Sequence, residues 1–144
     1  MRFMTAQYFV DTNILLYAGS QDPLDEVKRA TSIELLRRPG LGLSAQVLQE
    51  YYEVAYRKKR LGLEHYEVMR ALRLLAQKAV LPVTASLVIE AAQISERFKI
   101  SYWDAAIVAA AIALGCATLY TEDLNHQQNY GGVIVVNPFL ESNQ

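Results

Sequence analysis

The chain has 144 residues, of which 52% are hydrophobic and 20% charged, and its 14 basic residues nearly balance 15 acidic ones. This composition excludes intrinsic disorder, which needs low hydrophobicity and high net charge, and the length is typical of one domain, residues 1–144. The single cysteine, Cys116, excludes an intramolecular disulfide and a cysteine-based zinc site. Two histidines, His65 and His126, argue against a site built from several histidines. The net charge of −1 gives no overall sign of nucleic-acid binding, and we expect a soluble cytoplasmic protein.

The first half of the chain alternates between short apolar runs, typical of buried strands, and apolar residues at helical spacing. Good capping residues mark the helix starts at Asn13, at Asp22 before Pro23, and at Ser44. The predicted elements are a strand at 8–10, a helix after Asn13, a helix from 22 to 38, a strand at 41–43 and a long helix capped by Ser44 that continues to Arg60.

The second half continues the alternation. Pro82 makes one strand short or places it at a sheet edge, and Gly115 ends an alanine-rich helix. The predicted elements are a helix at 63–78, a strand at 80–83, helices at 84–98 and 101–115, and the last two strands at 118–121 and 133–136.

This order of elements predicts an α/β fold with a parallel sheet covered by helices on both faces. One stretch, 105–121, carries no charge over 17 residues, which is about the lower limit for a membrane span. Because the stretch is rich in alanine and contains Gly115, a buried helix followed by a strand explains it better. We therefore predict no transmembrane helix.

Three aspartates occupy unusual places in this pattern. Asp11 directly follows the first strand, and Asp123 follows the strand at 118–121. The carboxyl ends of parallel strands share one edge of the sheet, where ligands usually bind. Asp104 lies in the first turn of a helix whose next ten residues are all apolar, so it is placed at the end of a buried helix.

Glu50 is a fourth candidate, because it shares a helix face with Val47 and Val54. Burying a carboxylate is costly unless it is paired or bound to a metal, and four close together require a cation. Oxygen-only ligands favour Mg²⁺ or Mn²⁺ over zinc. The four acids together therefore indicate a metal site.

Each acid also has a purely structural interpretation. Asp104 fits a capping box with Ser101, Asp123 fits a loop-stabilising role, and Glu50 is able to reach solvent. Asn13 fits a simple helix cap. Taken singly these interpretations are favoured, and the joint pattern is what supports a site.

Four segments in order, each loosely defined, carry a family resemblance that covers nearly the whole chain. They are residues 9–17, 44–50, 101–111 and 119–126. These segments resemble the four motifs of PIN-domain nucleases, and the small chain is similar to VapC toxins of toxin–antitoxin pairs. After His126 many relatives have glycine, whereas this chain has Gln127-Gln128, which affects the shape of the loop.

The resemblance implies a three-layer α/β/α sandwich with a short-stranded, mostly parallel central sheet. It implies an Mg²⁺ or Mn²⁺ centre that hydrolyses RNA phosphodiester bonds to 5′-phosphate and 3′-hydroxyl products, with a small antitoxin as partner and a homodimer as the assembly. Carried over by position, the catalytic and metal-binding residues are Asp11, Glu50, Asp104 and Asp123, with Asn13 and Thr121 orienting them. The resemblance leaves open whether Glu122, beside Asp123, takes part in the acidic centre.

A basic run closes the helix that carries Glu50. Arg57, Lys58, Lys59 and Arg60 are candidates for contact with RNA phosphates. Cations at a helix C-terminus are also favourable in themselves, by about 0.3–1 kcal/mol each, so a purely structural interpretation stays open.

Other classes of protein fit less well. A phospho-acceptor receiver domain needs an acidic pair after the first strand and a lysine after the last, and a haloacid-dehalogenase-type phosphatase needs Asp-x-Asp, where this chain has Asn13. A catalytically inactive PIN-like binding scaffold is the alternative that the sequence leaves open.

Overall fold

A mostly parallel sheet forms the middle of the computed structural model, which describes residues 4–140. The strands of this range are β1 (Tyr8–Val10), β2 (Leu41–Ser44), β3 (Ala79–Leu81), β4 (Thr118–Tyr120), β5 (Asn129–Tyr130) and β6 (Val133–Val136). The α-helices are α1 (Thr12–Ala18), α2 (Glu26–Arg37), α3 (Ala45–Tyr52), α4 (His65–Leu75), α5 (Ala85–Phe98) and α6 (Tyr102–Ala113).

The sheet has the order β3-β2-β1-β4-β6-β5, and only β5 runs antiparallel within the described range. Phe9 pairs with Gly42 on one side and with Leu119 on the other, so β1 is central. Side chains such as Phe9, Leu43 and Leu119 are fully buried. The short, wholly apolar strands are explained by burial on both faces.

The helices form two groups with the sheet between them. Helices α1, α2, α3 and α4 pack on one another, whereas α5 packs on α6, and α6 contacts β2, β4 and β6. Because parallel strands are joined by right-handed crossovers, reversing the strand order after β3 sends α5 and α6 to the opposite face. The result is the predicted three-layer α/β/α sandwich.

The uncharged stretch 105–121 forms most of α6 and then β4, as predicted. Ala105 to Ala111 are all buried, and Gly115, with φ +76°, follows the end of the helix. No helix within residues 4–140 is long and apolar enough to cross a membrane. The predicted edge position of the strand before Pro82 is also confirmed, since β3 lies at one end of the sheet.

The predicted cap of the first helix is wrong. The carboxylate of Asp11, not the side chain of Asn13, accepts a hydrogen bond from the backbone N–H of Ile14 at 3.3 Å. Helix α1 therefore begins at Thr12. Both side chains are good caps, so the sequence alone does not distinguish them.

The helix predicted from Ser44 to Arg60 is present from Ala45 to Arg57, but it is not one uniform α-helix, because α3 ends at Tyr52. Residues Glu53–Arg57 form a π-helical turn, in which the N–H of Lys58 donates to the carbonyl of Glu53 at 2.8 Å. Tyr51 and Ala55 are buried on both sides of the junction and keep helical spacing. The apolar pattern therefore does not reveal the change in helix type.

Three smaller boundaries also differ from prediction. The helix predicted at 63–78 is the shorter α4, whose N-terminus has a capping box formed by Glu64 and Glu67. A short 3₁₀ helix, Pro23–Asp25, precedes α2. The strand β5, between the last two predicted strands, was not predicted, because two residues carry no readable period.

Gly42 in β2 packs tightly against the side chains of Ala6 and Leu114. A Cβ atom there would lie 2.7 Å from Cβ of Ala6 and 2.9 Å from Cδ1 of Leu114. We expect Gly42→Ala to lower the free energy of unfolding by about 1–3 kcal/mol, because overpacking displaces both neighbours. Urea denaturation measures this change.

The double variant Gly42→Ala with Ala6→Gly is the matched control, because it moves the methyl group from one side of the contact to the other. It is expected to recover part of the loss. Equal stability of Gly42→Ala and the original chain would show that the contact is not tight.

Candidate active site

The strand order reverses between β1 and β4, and the predicted acids lie around this point of the sheet. Asp11 follows β1 and Thr121 follows β4, and the N–H of Asp11 donates to the carbonyl of Tyr120 at 3.2 Å. Helix α1 follows β1 on one face of the sheet, and α6, which leads into β4, packs on the other face, so a cleft opens between them at the carboxyl ends of the strands.

The four predicted acids line this one cleft, together with both predicted supporting residues. Its volume is about 80 Å³. The lining residues are Asp11, Thr12, Asn13, Glu50, Trp103, Asp104, Ile107, Thr121, Asp123 and Leu124. Thr12, Trp103, Ile107 and Leu124 were not among the predicted site residues, because hydroxyl and apolar side chains beside a motif give no charge signal.

Asp11 is the most deeply buried of the acids, at 6% exposure. The pKa of its carboxyl is raised to about 7, chiefly by burial and in smaller part by the negative charges of Asp123 and Glu122. The Thr121 hydroxyl donates to Asp11, and the N–H of Ile14 does the same, and both bonds lower the pKa. Burial has the largest effect, so a substantial fraction of the Asp11 carboxyl is protonated near neutral pH.

Asp123 is connected to Asp11 through one hydroxyl. The N–H of Asp123 donates to Oγ1 of Thr121 at 3.1 Å, and Thr121 itself is 2% exposed. The side-chain amide of Asn13 donates to Oδ2 of Asp123 at 3.4 Å. Burial, followed by the negative charges of Asp104 and Glu122, raises the pKa of Asp123. Thr121 and Asn13 therefore contact the carboxylates, as expected of orienting residues.

Glu50 is held from two sides. The hydroxyl of Thr12 donates to Oε2 of Glu50 at 3.0 Å, and the side-chain amide of Gln46 donates to Oε1 at 2.7 Å. Sequence reasoning missed both donors. Gln46 lies four residues before Glu50 on the same helix, a spacing that does bring side chains together.

Asp104 lies in the first turn of α6, where the predicted structural role is partly present. Its N–H donates to Oγ of Ser101 at 3.1 Å, so Ser101 caps the helix. The carboxylate of Asp104 nevertheless lines the cleft and raises the pKa of Asp123. The Ser101 cap therefore accounts for the position of Asp104 at the start of α6, and the carboxylate adds negative charge to the cleft.

In the part of the chain that the structure describes, no basic side chain forms a salt bridge with a cleft acid. The salt bridges within residues 4–140 are Lys28–Glu122, Arg60–Asp25 and Lys99–Glu96, and none includes a cleft acid. In the same range, no three His, Cys, Asp or Glu side chains are grouped closely enough to form a metal site as they stand. The four carboxylates thus line one cleft without meeting at a single point.

Glu122 is directed to a different cluster. Its carboxylate accepts from the hydroxyl of Tyr17 at 2.5 Å and pairs with Nζ of Lys28 at 2.8 Å. Nζ of Lys28 also lies 4.8 Å from the ring centre of Tyr17 and 5.2 Å from that of Phe139. Glu122 does not line the cleft. Its contacts with Tyr17 and Lys28 instead attach the loop that carries Asp123 to α1 and α2.

The basic run lies outside the cleft lining. Arg60 pairs with Asp25 at 2.7 Å and donates to Oγ of Ser20 at 3.3 Å, so it joins two segments of the protein. Arg57 and Lys59 line a separate surface pocket with Tyr56. The structure therefore does not bring this run to the acids.

The buried carboxyl of Asp11 makes stability depend on pH. Its pKa is 3.8 in the unfolded chain and about 7 in the folded one, so the folded state binds more protons between these values. Stability is therefore lost as pH rises from about 4 to about 7. In EDTA, we expect Asp11→Asn to be more stable than the original chain at pH 8, by up to about 4 kcal/mol at about 1.4 kcal/mol per pKa unit.

Denaturant unfolding at pH 5 and pH 8 measures this difference. Asp22→Asn, at an exposed helix cap outside the cleft, reports the general effect of the same substitution. Equal stability differences for Asp11→Asn at both pH values would contradict a raised pKa.

Comparisons with known proteins agree with the fold. The PIN domain family model matches residues 8–132. The fold is similar to that of VapC20 from Mycobacterium tuberculosis, a sarcin–ricin loop cleaving toxin, with 26% identity, a TM-score of 0.63, and 81% of this chain and 90% of that chain covered.

Two further structures share the fold. One is a toxin–antitoxin complex from Klebsiella pneumoniae, with 20% identity, a TM-score of 0.66, and coverage of 92% of this chain and 98% of that one. The other is FitAcB from Neisseria gonorrhoeae, with 21% identity, a TM-score of 0.65 and the same coverage. A comparison with curated proteins gave no significant match. The family match over most of the sequence and the arrangement of the sheet lead to one conclusion: the chain belongs to the PIN domain family.

Proposed function

We propose that this PIN domain is an Mg²⁺- or Mn²⁺-dependent endoribonuclease and the toxin of a toxin–antitoxin pair. The observation that carries the proposal is that acids from four separate parts of the chain line one cleft, and that within residues 4–140 no basic side chain lines it or pairs with its acids. The similarity to VapC20, at 26% identity, supports RNA as the substrate class. A small antitoxin and a second copy of the chain are the proposed partners.

The donor set fits a hard divalent ion, because all four candidate ligands are carboxylates. Asp11, Asp104 and Asp123 are the proposed metal ligands, and Glu50 is proposed to bind a second ion or to orient the attacking water. When bound, a divalent ion supplies a Lewis acid that activates water and offsets the negative charge on the phosphate.

The protein's own side chains prepare this centre. Thr121 donates to Asp11, and Asn13 donates to Asp123, so both carboxylates keep defined orientations. Thr12 and Gln46 hold Glu50 from opposite oxygens. Such donors fix ligands before binding, and their loss typically costs 10- to 100-fold in affinity or activity (roughly).

Asp104→Asn tests the proposed centre. We expect it to reduce cleavage of RNA in Mg²⁺ or Mn²⁺ by at least about 100-fold, since residues that merely orient ligands already contribute about 10- to 100-fold. EDTA is expected to abolish cleavage by the original chain. The measurement is the initial rate of cleavage of a labelled RNA by purified protein.

Asp22→Asn is the matched control, because it makes the same change at a helix cap where asparagine serves equally well. Equal cleavage by the original chain and by Asp104→Asn would show that the site is wrong. A chain that cleaves no RNA and is not stabilised by metal would favour the non-catalytic binding scaffold. Growth arrest on expression of the original chain, relieved by Asp104→Asn, tests the toxin role.

Two neighbouring acids, Glu122 and Asp123, separate a metal ligand from a structural residue. We expect Glu122→Gln to keep the rise in melting temperature that Mn²⁺ causes, and Asp123→Asn to lose most of it. Glu122→Gln weakens a partly exposed ion pair with Lys28, which contributes about 0–1 kcal/mol. Thermal unfolding with Mn²⁺ and with EDTA measures both effects. If Glu122→Gln removes the Mn²⁺ effect as fully as Asp123→Asn, then Glu122 is a ligand.

A further inference from the structure

Trp103 is a large apolar side chain that lines the acidic cleft and is still 65% exposed. We propose that Trp103 is a stacking platform for one unpaired base of the RNA, beside the phosphate that the acidic centre holds. This inference rests on the proposed function and adds a base-binding subsite to it. The tryptophan lies next to Asp104 in the chain, so the subsite and the acids belong to one surface.

The size of the cleft determines which part of a nucleotide, the phosphate or the base, is able to reach the acids. Its volume of about 80 Å³ is room for a few water molecules or an ion. Pockets that enclose drug-sized molecules measure about 300–1,000 Å³, so a whole nucleotide does not fit. A phosphate that reaches the acids therefore leaves its base at the outer edge, where Trp103 lies.

The chemistry of the edge matches a base. Ile107 and Leu124 line the same cleft and give it apolar surface beside the carboxylates. Carboxylates repel a phosphate unless a cation intervenes, whereas an indole ring binds any base through its face. Contact between Trp103 and a base therefore supplies affinity that does not depend on the charge of the cleft.

The ring of Trp103 is held on a rigid support. It packs edge-to-face with the ring of Tyr102, with ring centres 5.1 Å apart and planes at 83°. Helix α6 is fixed at this end by the Ser101 cap and is buried from Ala105 to Ala111. A platform on such a helix loses little freedom when a base stacks on it.

Other aromatic residues at the surface do not compete for this role. Tyr52, Tyr56 and His65 pack against one another, with centroid distances of 4.8 Å for Tyr56–His65 and 5.8 Å for Tyr52–His65. Tyr66 is 64% exposed but does not line the cleft. Among residues 4–140, Trp103 is the aromatic residue of the cleft lining.

The chain contains one tryptophan, so tryptophan fluorescence, excited at a wavelength where tyrosine does not absorb, reports on Trp103 alone. The first experiment titrates the Asp11→Asn variant, which the proposed function makes inactive, with a six-nucleotide oligouridylate in Mg²⁺. We expect the fluorescence to be quenched on binding. A series of the same oligonucleotide with one abasic position at a time should lose quenching at one position only.

The second experiment measures cleavage kinetics of an unstructured RNA. We expect Trp103→Ala to raise KM by roughly 5- to 150-fold, the range that follows from the loss of one stacked base. The substitution should change kcat less than KM, because Trp103 is not among the proposed metal ligands. Trp103→Phe keeps an aromatic face and should recover most of the loss, and Tyr66→Ala, an exposed aromatic outside the cleft, is the matched control.

The outcomes separate the platform from the proposed function. Binding of oligouridylate without any change in fluorescence, or an unchanged KM for Trp103→Ala in a chain that cleaves RNA, overturns the platform alone and leaves the ring as a surface for a protein partner. If the original chain cleaves no RNA, the proposed function fails, and the fluorescence titration still decides the platform because it needs only binding. Absence of both binding and cleavage overturns both.

Discussion

The reversal of strand order between β1 and β4 is the constraint on which the rest of the site depends. Val10 pairs with Tyr120, and this register places Asp11 beside Thr121 one residue later on each strand. A slip of one residue would move one strand by about 3.3 Å, which exceeds the tolerance of a hydrogen bond and turns every side chain to the other face. The apolar strands prevent this slip, because Phe9 and Leu119 are both fully buried in the correct register. Packing of the core therefore fixes the geometry of the acids.

The same arrangement brings four carboxylates to one cleft and buries one of them, Asp11. Asp11 caps α1 and accepts from Thr121, but these bonds do not offset its burial, and its pKa rises to about 7. Two basic side chains of the described residues form ion pairs outside the cleft, Lys28 with Glu122 and Arg60 with Asp25. A carboxylate cluster without a basic partner lowers the stability of the fold, and a cost of this kind is typical of functional sites. Membership of the PIN domain family is the reason to interpret this loss of stability in terms of function.

Particular residues show how much of the fold and of the candidate site can be predicted from the sequence. Asp11 and Asp123 were found because both follow apolar strands, and in a parallel sheet such positions share an edge. Asp104 and Glu50 were harder, because each has a good local explanation on its own helix. The π-helical turn at Glu53–Arg57 was not predicted, because the spacing of the buried residues Tyr51 and Ala55 in the sequence is also that of an uninterrupted α-helix. The role of Glu122 depends on Lys28, which lies 94 residues away and has no local signal.

The net charge of −1 illustrates why a total is a poor guide to the partner of a protein. It sums a cleft lined by four acids with basic side chains that are held elsewhere, as Arg60 is by Asp25 and Ser20. A polyanion that approaches this cleft is repelled by the carboxylates, so its affinity must come from a cation between them and from contacts that carry no charge. Trp103 provides an exposed uncharged surface at the required place. Local placement of acids, cations and one aromatic ring, and not their sum, therefore determines what this cleft is able to bind.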